Sequence, residues 1–174
     1  ANLQKAYQKA GYAQQALQIY QDIFAVIVQE EGPSLSSKLA QLSGYRTQES
    51  SEDIEGLYEG ALAYAYGHAA VDDSMQLHYG RAIRIFEAQQ QPKFALTLNL
   101  YLAYDRYNQE KLFEAQQYIE EAAAFLKACK QNGHTVEEEI LIIYNLQTVI
   151  YTDLSLYPQA IETSLKRIDL LDQK

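Results

Sequence analysis

The sequence predicts an all-α chain built from antiparallel helix pairs. Apolar residues recur with helical periodicity along almost the whole chain, and strand signals are nearly absent. The three prolines stand where helices are expected to begin, a position that tolerates a residue without an N–H. A helix-pair pattern also recurs, and repeated pairs stack into arrays. We therefore expect a single helical repeat domain over residues 1–174.

Turn and capping signals divide the chain into nine predicted helices. Gly32-Pro33 ends one helix and opens the next, and residues 43–52 lack periodicity and predict the one substantial loop. Asp72-Asp73-Ser74 offers capping side chains before Met75. Asn132-Gly133 is a helix stop, and Thr135-Val136-Glu137-Glu138 has the form of a capping box. The predicted helices are 1–10, 12–31, 34–42, 53–70, 74–90, 92–109, 111–132, 136–154 and 157–172.

Charge and cysteine content exclude several classes of partner. The net charge is −9 and no basic stripe is present, so we expect no direct nucleic-acid contact and no attraction to an anionic membrane. No apolar run approaches the ~20 residues that span a bilayer. The single Cys129 fits a reducing compartment, and we expect a cytoplasmic protein. Because the chain begins at Ala1 inside a helical pattern, we also expect it to be a piece of a longer protein.

No set of residues predicts catalysis. His68, His78 and His134 are scattered, without cysteines or carboxylates at metal-ligand spacing. The run 137–139 of three glutamates stands at a predicted helix start, where negative charge complements the helix dipole. We therefore expect no enzyme activity, no metal and no cofactor.

The repeat pattern has a physical basis in how helix pairs cross. A small residue is needed where the second helix passes close to the first, and Ala16, Ala115 and Ala160 take that position. Met75 precedes Ala115 by 40 residues, and Ala115 precedes Ala160 by 45. The full pattern consists of Tyr144, Thr148, Tyr151, Tyr157, Ala160 and Ser164; Leu112, Ala115, Ile119 and Ala122; Met75, Tyr79 and Ala82; and Gly11, Ala16, Tyr20 and Ile23.

With these residues the chain resembles tetratricopeptide repeats, best in the last pair, although residues 32–56 depart from the pattern and no repeat carries a tryptophan. The resemblance implies a right-handed superhelix whose concave groove takes a short peptide or a protein segment. Repeats of this length in a chain rich in Tyr and Gln are further similar to the C-terminal sensor domain of Rgg-, PlcR- and Rap-like regulators. That similarity implies the sensor of a peptide-responsive transcription regulator in quorum sensing.

In such pairs the first helix lines the groove, which gives the candidate site residues. Gly60 and Gly67 share a face of their helix, so either a ligand or a neighbouring helix approaches closely there. The amide of Asn145 could hold an extended peptide backbone, or it could lie on a solvated polar face, or it could be buried and bond a neighbouring helix. The candidate peptide-binding residues are Tyr64, His68, Asn99, Arg106, Asn145, Thr152 and Asp153.

Two further roles stay open at this point. The chain could serve as a scaffold or homodimerisation domain without a small peptide ligand, or as a helical domain attached to an enzyme. A helix-turn-helix before residue 1 would favour the sensor role, and a two-fold contact on the convex face would favour dimerisation.

Overall fold

The computed structural model describes residues 11, 15, 18–20, 35–48 and 52–172, and every regular element in them is an α-helix. Predictions that fall on residues 1–10, on most of 12–31 and on Pro33 lie outside the described residues, as do Ala16 and Ile23. Seven helices have described bounds: α1 (Leu35–Gln48), α2 (Glu52–His68), α3 (Asp72–Ala88), α4 (Pro92–Asn108), α5 (Leu112–Gln131), α6 (Glu137–Asp153) and α7 (Tyr157–Asp172).

The helices begin at a regular spacing along the sequence. From α2 to α5 the first residues are 52, 72, 92 and 112, so each helix with its connection occupies 20 residues and each pair 40. The helix starts from α5 to α6 are 25 apart, because α5 and the connection after it are both longer. These spacings confirm the 40- and 45-residue repeat lengths expected from the sequence.

Five of the turns share one hydrogen-bonding pattern. After α2, the N–H of Ala70 bonds the carbonyl of Gly67 and the N–H of Val71 bonds that of Tyr66, which is the Schellman motif. The same two bonds close α3, α4, α5 and α6. Each turn needs one residue with positive φ, and these are Ala70 (56°), Gln90 (53°), Glu110 (61°), Gly133 (75°) and Ser155 (59°).

Four sequence signals were interpreted wrongly. Residues 43–48 were expected to be loop, but α1 continues to Gln48. The helix can continue because one glycine costs only about 1 kcal/mol inside a helix, and because the Oγ1 of Thr47 donates to the carbonyl of Gly44 at 2.8 Å. Gly11, expected in a turn, is likewise helical. The N-caps of α3 and α6 are Val71 and Val136, without a side-chain cap bond, so neither the Asp72-Asp73-Ser74 caps nor the capping box forms.

The chain divides into two compact units, residues 1–91 and 92–174. In the first unit α2 packs against α1 and α3. In the second unit α4 pairs with α5 and α6 with α7, while α6 also contacts α4 and α5. The single-domain expectation is not tested by this division and stays a prediction.

The fourth helix position of the repeat pattern, which carries a small residue in two of the three helices α3, α5 and α7, is an interior position. Met75, Ala115 and Ala160 are each the fourth residue of their helix and are all buried. Gly60 also lies at a close approach: a Cβ there would stand 2.9 Å from the hydroxyl oxygen of Tyr20. A neighbouring side chain of the same chain therefore accounts for this glycine.

Candidate binding surface

The predicted site residues of the first unit are Tyr64 and His68, and they differ in accessibility. Tyr64 is buried within α2, whereas His68, the last residue of that helix, is exposed. The other five candidates belong to the second unit.

Asn99 and Arg106 lie in the interior of the protein. Both side chains are fully buried, and the amide nitrogen of Asn99 donates to a backbone carbonyl of its own helix at 2.9 Å. Arg106 donates to the side-chain oxygen of Gln109 at 2.9 Å and lies 3.3 Å from a carboxylate oxygen of Glu114. Gln109 in turn donates to Asp105 at 2.8 Å. The bonds of Arg106 join the end of α4 to the start of α5, whereas the bond of the Asn99 amide nitrogen stays within α4; both side chains are interior and do not line an open surface.

Asn145, Thr152 and Asp153 lie on the exposed side of α6. The Oδ1 of Asn145 accepts a hydrogen bond from the guanidinium of Arg167, which joins α6 to α7. The alternative of a bond to a neighbouring helix expected a buried amide, whereas Asn145 is exposed. Asp153 accepts a bond from the hydroxyl of Tyr107 at 3.0 Å, and this bond is the main reason why the pKa of Tyr107 is raised. The hydroxyl of Thr152 donates to a backbone carbonyl of α6, so all three side chains have partners within the protein.

Thr152 belongs to an open cleft of about 300 Å³ between α6 and α7. The hydroxyls of Thr148 and Thr152 each donate to a carbonyl one turn earlier in α6, at 2.8 Å. Because these donors bond their own helix, the cleft is mainly apolar in character. We name it the terminal cleft; its lining residues are Thr148, Thr152, Tyr157, Ala160, Ile161, Ser164 and Leu165.

The apolar surface continues beyond the cleft along α7. Ile161 is 61% exposed and Leu165 is 56% exposed, although both are large aliphatic side chains. We call the exposed apolar side of this helix the α7 face; it comprises Tyr157, Ile161, Leu165, Ile168 and Leu171. On α6, Ile142 and Val149 are also exposed, on the same side as Asn145 and Thr152.

Sequence reasoning missed this surface for a specific reason. Tyr157 and Ser164 were assigned to helix packing because they fit the repeat pattern, and Ile161 and Leu165 were not considered. The signal was present, since α7 carries apolar residues on two sides: Ala160 is buried against the protein, whereas Ile161, Leu165 and Ile168 form a second, exposed stripe. A helix that packs on one side needs only one such stripe.

A polar cluster elsewhere joins α2 to α3. The Nδ1 of His78 lies 2.6 Å from a carboxylate oxygen of buried Glu59, and Arg81 lies 3.7 Å from the other oxygen. The ring of Tyr66 stacks on His78, with centroids 5.3 Å apart. The cluster provides partners for a buried carboxylate, which would otherwise be costly.

A second cleft, of about 510 Å³, lies beside the three glutamates at the start of α6. The ammonium of Lys93 lies 3.1 Å from Glu139 and donates to the carbonyl of Thr135 at 3.1 Å. Burial raises the pKa of the nearby Cys129 thiol. Within the described residues, no group of three or more His, Cys, Asp or Glu side chains could hold a metal ion.

The comparisons with known proteins give no relative: no family model, curated protein or solved structure matches this chain. The likeness to tetratricopeptide repeats therefore stays a likeness of sequence pattern. In the part of the chain that the structure describes, no helix has both the length and the apolar composition needed to cross a membrane.

Proposed function

We propose that this chain is a peptide- or protein-binding helical module, with tetratricopeptide-like stacking of its pairs, and that it binds at the terminal cleft and the α7 face. The observation that carries the proposal is the exposed α7 face. Monomeric proteins seldom expose a large contiguous apolar patch unless it binds something. Apolar side chains in contact with water are unfavourable in free energy, and an apolar partner that covered Ile161 and Leu165 would remove most of this unfavourable hydration.

The proposal concerns binding and assigns no reaction to the chain. The narrower role, a sensor domain in a peptide-responsive regulator, rests on the sequence resemblance alone. Use of the α7 face as a scaffold or homodimer contact is the second candidate, and it is favoured by the same exposed side chains.

The experiment is a selection of peptides from a random library on the immobilised chain, followed by titration of the selected peptides. We expect the double substitution Ile161→Gln and Leu165→Gln to weaken their binding. Leu77→Gln is the matched control, because Leu77 is 52% exposed on α3 in the other unit. Selected peptides that bind both variants equally, or a selection that yields none, would overturn the proposal.

Asn145→Ala separates two roles for that amide. If Asn145 contacts the peptide, the variant loses about 1–3 kcal/mol of binding free energy and keeps its melting temperature. If its bond to Arg167 is purely structural, the variant keeps its affinity and melts at a lower temperature. Calorimetric titration beside a melting curve distinguishes the two outcomes.

A further inference from the structure

The charges around the α7 face determine which partner fits it. Side chains three or four residues apart are neighbours on a helix surface, so the rim of the apolar surface can be read from sequence spacing. On α6, Glu138 stands four residues before the exposed Ile142, and Asp153 stands four residues after the exposed Val149. Both carboxylates are exposed.

The rim of α7 is acidic in the same way. Glu162 and Asp169 stand three residues before and four residues after Leu165, and Asp172 stands four residues after Ile168. All three carboxylates are exposed. Five exposed carboxylates thus stand three or four residues from exposed apolar side chains of α6 and α7, and one of them, Asp153, also accepts a bond from Tyr107.

Basic side chains do not balance this rim. Lys166 is engaged by Glu162, with nitrogen and oxygen 2.6 Å apart, and the bond to Lys166 lowers the pKa of Glu162. Arg167, four residues before Leu171, donates to Asn145. Among the described residues of α6 and α7, these five carboxylates exceed the two engaged cations by three negative charges beside the exposed apolar side chains.

We propose that the partner at this surface is a cationic amphipathic helix. This inference rests on the proposed function and specifies its ligand class. The apolar stripe of the partner helix packs against the α7 face. Lys or Arg residues on either side of that stripe then lie close to the exposed carboxylates. The face from Tyr157 to Leu171 is about 21 Å long at 1.5 Å per residue, so a partner helix of roughly 14 residues covers it. A second copy of the chain is disfavoured, because a two-fold contact would place the same acidic rims together.

The experiment titrates the chain with three synthetic 14-residue peptides at physiological salt. The first contains only Leu and Lys in a helical amphipathic order, the second replaces every Lys by Glu, and the third scrambles the Leu/Lys order at equal charge. We expect the first to bind at least about tenfold more tightly than either of the others, a difference of roughly 1.4 kcal/mol. Equal binding of the ordered and scrambled peptides would show a non-specific charge effect and overturn the inference.

Two sets of variants localise the binding. Ile161→Gln with Leu165→Gln should weaken the ordered peptide about tenfold, whereas Leu77→Gln should leave its affinity unchanged. Asp169→Asn with Asp172→Asn should weaken it about two- to fivefold per charge and reduce the salt dependence. Retained affinity in both sets would overturn the assignment to this surface.

The outcomes also separate this inference from the proposed function. If library peptides without net positive charge bind and depend on Ile161 and Leu165, the binding function stands and the cationic class is wrong. If sedimentation equilibrium finds a dimer that Ile161→Gln with Leu165→Gln dissociates, the occupant is a second copy and the inference fails.

Discussion

Replacing Glu110 by glycine should stabilise the protein. Glu110 closes the turn after α4 with φ of 61°, in the left-handed region. For a residue with a Cβ this conformation costs roughly 1–2 kcal/mol. Glycine avoids that cost but loses about 0.5–1 kcal/mol more backbone entropy on folding. The difference predicts that Glu110→Gly raises the free energy of unfolding by about 0.5–1 kcal/mol.

Urea denaturation followed by circular dichroism measures this change, and the midpoint should rise without a change in slope. Glu110→Ala is the matched control, because it removes the same side chain but keeps a Cβ; its midpoint should stay near that of the wild type. Gly133→Ala is the reciprocal test: with φ of 75° and open space around the added Cβ, it should destabilise through backbone strain alone.

The four turns with a non-glycine left-handed residue are separate along the chain, so their effects should add. The combination of Ala70→Gly, Gln90→Gly, Glu110→Gly and Ser155→Gly is expected to gain about 2–4 kcal/mol, with each kcal/mol raising the melting temperature by roughly 2–4 °C for a chain of this size. A Glu110→Gly variant less stable than the wild type would refute the reasoning, since it would show that the turn does not hold this conformation.

Three further predictions follow from the interior. Gly56→Ala should destabilise the protein by about 1–3 kcal/mol, because the added Cβ would stand 2.9 Å from side-chain atoms of α3. Gly80→Ala should stabilise it by about 0.5–1 kcal/mol, because nothing lies within 4 Å of the added Cβ. Melting temperatures that move in the same direction for both variants would contradict this. Ala115→Leu should cost about 1–3 kcal/mol through overpacking, while Ala124→Leu on the exposed side of the same helix should not; equal denaturant midpoints would place Ala115 at the surface. Cys129, buried and with its pKa raised by burial, should react with a thiol reagent at pH 8 only after unfolding, and rapid labelling of the native chain would show that the site is open.

The sequence predicted the ends of helices well where a residue type restricts or frees the backbone in one particular way. Asn132-Gly133 does end a helix, because glycine adopts positive φ without strain, and Pro92 does begin one. The other left-handed turns carry Ala70, Gln90, Glu110 and Ser155, and no residue type there indicates the conformation. In each of these turns the residue with positive φ takes the left-handed position of the shared Schellman hydrogen-bond pattern, which the side-chain type does not reveal.

The candidate site was less predictable, because burial depends on neighbours that are distant in sequence. The seven-residue spacing of Asn99 and Arg106 correctly placed them on one side of α4, but the sequence did not indicate that this side is interior. The exposed stripe of Ile161 and Leu165 has the composition of a core stripe, and only the packing of Ala160 shows which side of α7 faces the protein.

Four of the connections between α2 and α7 are only three residues long, at 69–71, 89–91, 109–111 and 154–156. These short connections restrict which insertions and deletions the fold can accept. A helix advances by about 100° per residue, so a single deletion inside α4 would turn the rest of that helix and present the wrong stripe to its neighbours. The short Schellman turns leave no slack to reverse such a rotation. Insertions and deletions should therefore be tolerated best between α5 and α6, where residues 132–136 form the longest connection among the helices from α2 to α7. Elsewhere in this part of the chain, a helix pair of about 40 residues is the smallest increment that keeps every later helix in register, because the removal of one helix and its turn would reverse the direction of all later helices.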